Sequence, residues 1–360
     1  MKRLKQEKGS ITLFVLVSML FFVLFLAGMY MLNSSKEQTG ISETARIKEI
    51  YEKDVNQIDD IYATLVNDLI YYVKDKNGNR IPIPKGFSPI TTADQGTKET
   101  GFVIKNDTDG NEYVWVPVDD TTPYRYGRYA FLTSQPADGT DDTTNSIRIK
   151  FTSSSSYNFT EAMPSIDATR KELDSVNTYK GFYIGRFEVG IIGYDTTVST
   201  SPDGTETWTG YSNGTAVVQE GKQVWNYITR DKAREVAESM YRDNDAVISR
   251  LCSSYAWDTA LKFIETNYPS YPTNSVGGYY SQSEASTTGY DTTHPCNIYD
   301  MGGNVWECTT EISSSSTKFS CTLRGGDFEY NASITPAAYR VYSSTMSAGA
   351  NVGFRSTLYL

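Results

Sequence analysis

The chain has 360 residues, a formal net charge of −10 at pH 7, and 39% hydrophobic residues that include 27 Tyr, 15 Phe and 5 Trp. This content of apolar and aromatic side chains suits a domain of roughly 250 residues with an appendage, and it excludes an intrinsically disordered chain. The excess of acidic residues excludes a nucleic-acid partner, because phosphate binding requires clustered Lys and Arg.

The first 32 residues predict a membrane-spanning helix. Four basic residues lie in segment 1–9, and residues 11–32 form a stretch of 22 residues without a charge. At about 1.5 Å per residue this stretch is long enough to cross a bilayer core of about 30 Å. The basic cluster favours a cytoplasmic N-terminus. We therefore predict a single-pass protein of the cell membrane, with its helix at 10–32 and its C-terminal domain outside the cell. A cleaved signal peptide is the alternative, although its apolar core is usually only about 7 to 15 residues long.

The junction "KGSITLF" resembles the type IV prepilin leader, which a peptidase cuts after a Gly that follows a basic stretch. The resemblance implies that Gly9 ends the leader and that Ser10 starts the mature chain. It also implies pilin-like or other surface proteins as partners and a location in a surface filament. Two positions depart from the pilin pattern, since Ser10 replaces the usual Phe or Met and Phe14 stands where pilins carry a Glu. A plain membrane anchor is the alternative.

Residues 33–80 are predicted to form a helical stalk. Apolar residues between Tyr51 and Tyr72 recur at alternating steps of four and three, which is a helical stripe of coiled-coil type. The segment "KDKNGNRIPIP" should end this helix, because Asn-Gly favours a turn and neither Pro82 nor Pro84 can continue a helix. The stripe fits either a membrane-proximal stalk or the rear half of a pilin-type first helix.

Residues 81–360 are predicted to form an α+β domain with much irregular structure. Short strand-like runs such as "GFVIK", "YVWVPV" and "GFYIGRFEVG" are separated by clusters of Gly, Asn, Asp, Ser and Thr. Two segments favour helices. "ITRDKAREVAESMYR" has Thr229 as a plausible N-cap, and "SYAWDTALKFIETN" carries Trp257 and Leu261 at helical spacing.

Six separated segments resemble, in order, the sulfatase-modifying-factor family of formylglycine-generating enzymes. They are "YVWVPV" (113–118), "GFYIGRFEV" (181–189), "SRLCSSYAWDTAL" (249–261), "IYDMGGNVWE" (298–307), "LRGGDF" (323–328) and "NVGFR" (351–355). The resemblance covers residues 81–360. It implies the family's variant of the C-type lectin fold, in which sparse secondary structure surrounds paired sheets and two helices.

The residue types in these segments fit a structural role. Gly325, Gly326 and Gly353 permit backbone conformations that are closed to residues with a Cβ. Arg324 and Arg355 each adjoin an apolar residue, so we expect both to reach buried carbonyls or carboxylates.

The enzymes of this family use copper to oxidise a cysteine of a substrate peptide. The copper is held by two cysteines that lie between the RGG and GFR segments. Here the two corresponding positions fall on Tyr330 and Thr335, and neither is the thiolate that Cu(I) requires. The chain has one histidine, so a His-rich metal site is excluded as well. We therefore expect no copper and no catalysis. An oxidoreductase of the same fold, of the formylglycine-generating type or with another chemistry, is the alternative.

The four cysteines predict disulfide bonds. An extracellular domain is exposed to oxidising conditions, four is an even number, and the chain lacks the C-x-x-C pairs of zinc sites. Cys308 and Cys321 flank a predicted hairpin and are the preferred pair, which leaves Cys252 with Cys296. Four buried thiols are the alternative.

The segment "YDMGGNVWE" predicts a structural calcium ion. The resemblance implies a side-chain oxygen of Asp300, the carbonyls of Gly303 and Val305, and the carboxylate of Glu307 as ligands. Ca²⁺ takes about six to eight hard oxygens, and a Gly-rich turn between two carboxylates can supply them. A hairpin without metal is the alternative.

The stretch "EYNASITPAAYRVYSST" (329–345) is rich in Tyr, Asn, Ser and Thr, which suit adaptable recognition. The candidate ligand-binding residues are Glu329, Tyr330, Asn331, Tyr339, Arg340 and Tyr342. The predicted function is a membrane-anchored or pilin-like surface protein that displays a non-catalytic domain for binding or assembly with an extracellular ligand. A lectin-like domain that displays a variable patch in this stretch is a further alternative, and an ordinary polar loop is another.

Overall fold

The structure, a computed structural model, describes residues 69–118, 125–129, 131, 150–152, 158–161, 166–200, 207–274, 282–314, 319–331, 334–343 and 348–360. The predicted leader with Gly9 and Ser10, the helix at 10–32 and most of the stalk lie outside this part of the chain. Among the described residues, no helix has the length and apolar character needed to cross a membrane.

Strands dominate the described part of the chain. They are β1 (Ile70–Lys74), β2 (Arg80–Pro84), β3 (Phe87–Pro89), β4 (Phe102–Asn106), β5 (Glu112–Pro117), β6 (Lys150–Thr152), β7 (Asn158–Glu161), β8 (Gly181–Gly185), β9 (Gly190–Ile192), β10 (Asp195–Thr200), β11 (Thr207–Ser212), β12 (Thr215–Val217), β13 (Gln223–Val224), β14 (Ile248–Leu251), β15 (Trp306–Ser314), β16 (Phe319–Arg324), β17 (Arg340–Ser343), β18 (Val352–Phe354) and β19 (Ser356–Tyr359). The α-helices are α1 (Ile166–Tyr179), α2 (Arg230–Ser239) and α3 (Ser254–Asn267), and short 3₁₀ turns occur at Ala93–Gln95 and Pro295–Asn297.

Two six-stranded sheets form the framework. The first has the order β14-β19-β8-β5-β4-β3, with Trp115 of β5 opposite Tyr183 of β8. The second has the order β17-β16-β15-β7-β6, and β18 pairs in parallel with β15. Smaller sheets are β12-β9-β13 and the two hairpins β1-β2 and β10-β11. The result is mostly β structure with few helices.

The hairpin β1-β2 occupies the C-terminal end of the predicted helical stalk, so the prediction was wrong there. The helical stripe was expected to run through Tyr72, but Ile70–Lys74 is a strand that pairs with Arg80–Pro84. The sequence "IYYVK" is rich in aromatic and β-branched residues, and the carboxylate of Asp75 organises the Asn-Gly turn by accepting the backbone N–H groups of Asn77 and Asn79 at 2.8 and 2.9 Å. This hairpin belongs to the compact unit Thr64–Leu360, so strand structure starts before residue 81.

The main core lies between the first sheet and α3. Trp257 of α3 is fully buried, and its indole Nε1–H donates to the carbonyl oxygen of Ala337 at 3.0 Å. The helix begins where the side chain of Ser253 accepts from the N–H of Ala256. Thr229 caps α2 through the N–H of Lys232, as its sequence predicted. Valine, isoleucine and phenylalanine side chains of β4, β5 and β8 complete the apolar cluster.

Glu172 of α1 is a carboxyl group inside this core. Its Oε1 accepts from the hydroxyls of Tyr126 and Ser253, the latter at 3.1 Å. Burial raises the pKa of Glu172 to about 7, although the hydrogen bond from Tyr126 lowers it. A carboxyl group whose pKa is higher in the folded state stabilises the fold in its protonated form, and this contribution disappears as pH rises through the folded pKa.

We predict that wild-type stability falls between pH 5 and pH 8, and that Glu172→Gln removes about 2 to 3 kcal/mol of this fall. The substitution keeps the shape of the side chain and removes its ionisation. The measurement is the free energy of unfolding in urea across that pH range. Glu235→Gln, at an exposed site on α2, serves as the control and should leave the profile of the wild type unchanged. A Glu172→Gln profile as steep as that of the wild type would contradict the prediction.

Candidate functional site

An open groove of about 750 Å³ lies at the edge of the second sheet, where β17 is the outermost strand. It is lined by Trp306, Leu323, Glu329, Tyr330, Ile334, Thr335, Tyr339, Val341, Tyr342, Ser343, Ala348, Gly349, Asn351 and Val352. We call it the aromatic groove. Four of its residues are Tyr or Trp, and Glu329 is the charged residue among these described lining positions.

A buried carboxylate shapes one wall of the aromatic groove. Asp327 is fully buried, and its Oδ1 accepts from the N–H groups of Glu329 and Tyr330 at 3.1 and 3.3 Å. Its Oδ2 accepts from the side-chain amide of Asn351 at 2.6 Å. The carbonyl oxygen of Asn351 in turn accepts from the N–H of Trp306 at 2.7 Å. Asp327 thus links the loop after β16 to the segment before β18.

Two of the predicted structural glycines are required by backbone conformation. Gly325 and Gly326 have φ values of 91° and 78°, in the left-handed region that favours glycine. A Cβ on Gly326 would also overlap the carbonyl oxygen of Thr335. Gly353 has a different role, because its missing side chain leaves room for a methyl group of Val305.

Four of the six predicted ligand-binding residues line the aromatic groove, namely Glu329, Tyr330, Tyr339 and Tyr342. Tyr330 and Tyr342 are about half exposed, at 48% and 49%. Asn331 does not line it, and its carbonyl oxygen instead accepts from the N–H groups of Ile334 and Thr335.

Arg340, the remaining candidate, is a buried core residue and does not line the groove. Its side chain is buried against Asp258, because alternation along β17 turns it away from the face on which Val341 lines the groove.

Sequence reasoning missed Trp306, Ile334 and Asn351 as groove residues. Ile334 lies inside the stretch that was singled out, and its 62% exposure sets it apart from a core isoleucine. Trp306 and Asn351 come from the segments "YDMGGNVWE" and "NVGFR", which were assigned to the calcium site and to the scaffold. Their contribution depends on β18 pairing in parallel with β15, which no local pattern reveals.

An ion cluster lies buried beneath this groove. Asp258 accepts from Nη2 of Arg324 at 2.7 Å through Oδ1, and from Arg340 through Oδ2. Glu311 pairs with Arg128, and it lies 3.4 Å from Nε of Arg340. All five side chains are at most 1% exposed. Arg324 therefore reaches a buried carboxylate, as its sequence context predicted.

A second buried cluster surrounds Arg355. Its Nη2 lies 2.6 Å from Oε1 of Glu307 and donates to the carbonyl oxygen of Tyr299 at 2.8 Å, and its Nη1 donates to the carbonyl oxygen of Gly185 at 2.9 Å. Burial raises the pKa of Glu188 well above the ordinary range, and the nearby carboxyl groups of Asp300 and Glu307 raise it further. Arg355 thus fastens the first sheet to the segment that carries the predicted calcium ligands.

The two carboxylates among the predicted calcium ligands already have protein partners. Oδ2 of Asp300 accepts from the N–H of Gly289 at 2.7 Å, and Oδ1 accepts from that of Asp291 at 3.2 Å. Glu307 is paired with Arg355. In the described ranges, no three acidic, His or Cys side chains are placed to share a metal. The oxygen chemistry suits Ca²⁺, but an ion here would compete with Arg355 for Glu307.

The two positions that correspond to the family's copper ligands face the aromatic groove. Both Tyr330 and Thr335 line it. A phenol and a secondary hydroxyl are not soft ligands for Cu(I), so this donor set does not fit copper.

All four cysteines are buried thiols, so neither predicted disulfide is formed. The pairing of β15 with β16 shifts in register between Cys308 and Ile312, which places Cys308 opposite Leu323 and Cys321 opposite Ile312. The shift explains why the two cysteines do not oppose each other directly, yet their thiols still form a hydrogen bond. Cys252 and Cys296 pack in the main core as small apolar side chains.

Comparison with known proteins identifies the domain. No curated protein matches the sequence. Among solved structures, CarF is similar at 15% identity and a TM-score of 0.35, covering 50% of this chain and 87% of its own. PvdO from Pseudomonas aeruginosa is similar at 13% identity and a TM-score of 0.37, covering 72% of this chain and 98% of its own. Variable protein 1 of Treponema denticola is similar at 13% identity and a TM-score of 0.30, covering 50% and 96%. Residues 158–358, more than half of the chain, match the family described as "Sulfatase-modifying factor enzyme 1-like domain". The chain therefore belongs to the sulfatase-modifying factor enzyme 1-like family.

Proposed function

We propose that the chain is a binding protein whose aromatic groove takes up an extracellular ligand. The observation that carries the proposal is the exposure of two tyrosines, Tyr330 and Tyr342, at 48% and 49%, in an open cavity of about 750 Å³ whose wall also includes the buried Trp306. Tyrosine and tryptophan bury large areas at low entropic cost, and Ser343 and Asn351 supply polar contacts beside them. With Glu329 as the charged group among the described lining residues, the groove suits a neutral, partly apolar ligand.

The test is a screen of the full chain against immobilised saccharides and peptides. Tyr342→Ala and Tyr330→Ala should each weaken the binding of any specific ligand by about tenfold or more, because exposed aromatic residues dominate such contacts. Tyr268→Ala is the matched control, since Tyr268 is 48% exposed and lies outside the groove. Ligands that are retained equally by all three variants would refute the assignment of binding to this groove.

We also propose that the groove is displayed at the outer surface of a cell. The support is the charge-free segment 11–32 with the basic residues before it, which predicts a membrane anchor or a pilin-like helix. Mass spectrometry of the N-terminus in native membranes decides between these two. A mature chain that starts at Ser10 indicates pilin-like processing, and an intact Met1 indicates a plain anchor.

Catalysis in the same groove is the second candidate, because the family includes enzymes. It is tested by incubating the protein with a cysteine peptide and copper and analysing the peptide for formylglycine. A lectin-like variable patch is distinguished by a different observation, namely substitutions in closely related strains that cluster within 329–345.

A structural calcium ion remains part of the proposal. Its support is a charge imbalance, since Arg355 is ion-paired with Glu307 while two further buried carboxyl groups, Glu188 and Asp300, lie near enough to feel its charge. Burial raises the pKa of Asp300 above its ordinary value, and a bound cation would relieve that cost.

We predict that a chelator lowers the melting temperature of the wild type by several degrees, since an ion at 100 times its dissociation constant adds roughly 2.7 kcal/mol. Asp300→Asn should remove most of this response. Glu307→Gln is a poor test, because it also breaks the pair with Arg355 and destabilises the calcium-free protein. Identical melting curves with and without chelator would exclude the ion.

A further inference from the structure

A second cavity, of about 430 Å³, lies beside the hairpin β1-β2 and shares no lining residue with the aromatic groove. Its wall carries three cationic side chains and three aromatic rings: Arg80, Lys98, Lys180, Tyr72, Trp115 and Tyr179. No acidic side chain is among its described lining residues. We call this cavity the basic pocket. Its composition is the reverse of the whole chain, whose net charge is −10.

The fold holds two of the pocket's groups in place through the hairpin. Tyr72 pairs with Pro82 and Lys74 with Arg80, so Tyr72 and Arg80 lie on the same face. The guanidinium carbon of Arg80 lies 4.5 Å from the centre of the Tyr72 ring. The hydroxyl of Tyr183 donates to the carbonyl oxygen of Pro82 at 2.8 Å and fastens the hairpin to the first sheet.

Two acids that are close to these cations in the sequence, Asp75 and Glu99, are engaged elsewhere. Asp75 accepts N–H groups of the turn and, at 2.8 Å, the backbone N–H of Lys98. Glu99 accepts from the side-chain amide of Asn79 at 2.8 Å. Within the described part of the chain, Arg80 and Lys98 have no carboxylate partner. Their positive charges are therefore available to a ligand.

The position of Lys180 is explained by the end of helix α1. It follows the last residue of α1 and has a φ of 61°, the left-handed conformation that commonly ends a helix. A cation at the carbonyl end of a helix is favoured by the helix dipole. Lys180 adds to the positive potential of the pocket, whereas Arg80 and Lys98 define it.

Trp115 supplies an independent observation. It is 1% exposed, and its indole Nε1–H has no hydrogen-bond partner. Buried N–H groups nearly always have an acceptor, so an unpartnered one in the wall of a cavity indicates a ligand atom. The ring is held in position, because it packs on Gly181, where a Cβ would overlap it, and lies 4.9 Å from the ring centre of Tyr183.

We propose that the basic pocket binds the phosphate group of a phosphate ester. A phosphate offers several anionic acceptor oxygens, which suit a guanidinium, an ammonium and an indole N–H together. The rings of Tyr72 and Tyr179 would pack against the carbon skeleton that carries the phosphate. Soluble esters and lipid headgroups share this chemistry, and the experiment separates them.

The experiment is calorimetric titration of the full chain in neutral detergent. The probes are inorganic phosphate, glycerol phosphate and dihexanoyl phosphatidylglycerol, with dihexanoyl phosphatidylcholine as the zwitterionic comparison. Arg80→Gln combined with Lys98→Gln should weaken binding at least about tenfold. Lys232→Gln combined with Arg242→Gln removes the same number of charges from α2 and the turn after it, and should leave binding unchanged.

The NMR resonance of the Trp115 indole N–H reports on binding at the pocket itself, and general attraction of an anion to positive charge would not shift it. Trp115→Phe assigns this resonance, which should shift when glycerol phosphate is added to the wild type. Saturable binding of glycerol phosphate assigns the pocket to soluble esters, and binding of the phosphatidylglycerol alone assigns it to a headgroup. Absence of saturable binding by every phosphate probe overturns the proposal. Binding that survives the change of Arg80 and Lys98, or leaves the Trp115 resonance unmoved, also overturns it.

Discussion

Asp258→Asn should destabilise the domain by about 3 to 5 kcal/mol, a large part of the about 5 to 15 kcal/mol that holds a typical domain folded. Asp258 is fully buried and accepts from both Arg324 and Arg340. Burial by itself raises the pKa of Asp258, but these two arginines lower it below its ordinary value. An asparagine keeps the shape and leaves the two guanidinium groups with too little negative charge in a dry environment.

The measurement is the free energy of unfolding in urea at pH 7. Glu265→Gln is the control, because Glu265 lies on the same helix α3 and pairs with Lys262 at a partly exposed site. Loss of the Glu265–Lys262 pair should lower the free energy of unfolding by less than about 1 kcal/mol. Equal effects of the two substitutions would show that the buried cluster contributes no more than a surface pair.

Arg355→Gln should cost a similar amount, about 3 to 5 kcal/mol. Three acceptors lose their donor, namely Glu307 and the carbonyl oxygens of Gly185 and Tyr299. The buried carboxyl groups around them also lose their positive partner, so the cluster retains only like charges. The loss should appear as a lower urea midpoint with an unchanged slope.

Arg250→Gln gives the matched control for Arg355. Arg250 lies on β14, in the same first sheet as β8, and its contact with Glu238 is 3.6 Å long and partly exposed. We expect a change below about 1 kcal/mol. An Arg355→Gln variant as stable as this control would contradict the role assigned to the Arg355 cluster.

The sequence predicted the elements whose signals are local. The runs "GFVIK" and "YVWVPV" are β4 and β5, and the segment around Trp257 is helix α3. The mostly β architecture with few helices is consistent with the C-type-lectin-like fold that the family resemblance implied. Arg324 and Arg355 were expected to reach buried acceptors because each adjoins an apolar residue, and both do.

Helix α1 shows why other elements could not be predicted. Among its described residues, the buried face includes Glu172 and Ser175 alongside Val176, so the apolar period that marks an amphipathic helix is absent. Their partners, such as Tyr126 and Tyr359, are distant in the chain. A polar residue that is buried by long-range contacts leaves no trace in its own neighbourhood.

The candidate site could be predicted only in part, because long-range contacts also decide which of its residues face the groove. Tyr330, Tyr339 and Tyr342 stand in one stretch, and composition alone singled them out. Arg340 has the same composition signal, and only its burial against the distant Asp258 separates it from them. The basic pocket left no sequence signal, because Arg80, Lys98 and Trp115 come from three different strands and turns.

Strand β19 has a consequence for how the protein is made. It lies inside the first sheet, between β14 and β8, although it is formed by residues 356–359. During synthesis, β8 and β14 have no shared neighbour until those residues emerge, so the sheet cannot close while the preceding chain is still being translated. Sheets that depend on such distant pairing form slowly and expose their strand edges in the meantime. The edges of β8 and β14 that face β19 therefore stay unpaired, and open to aggregation, until residues 356–359 have been synthesised.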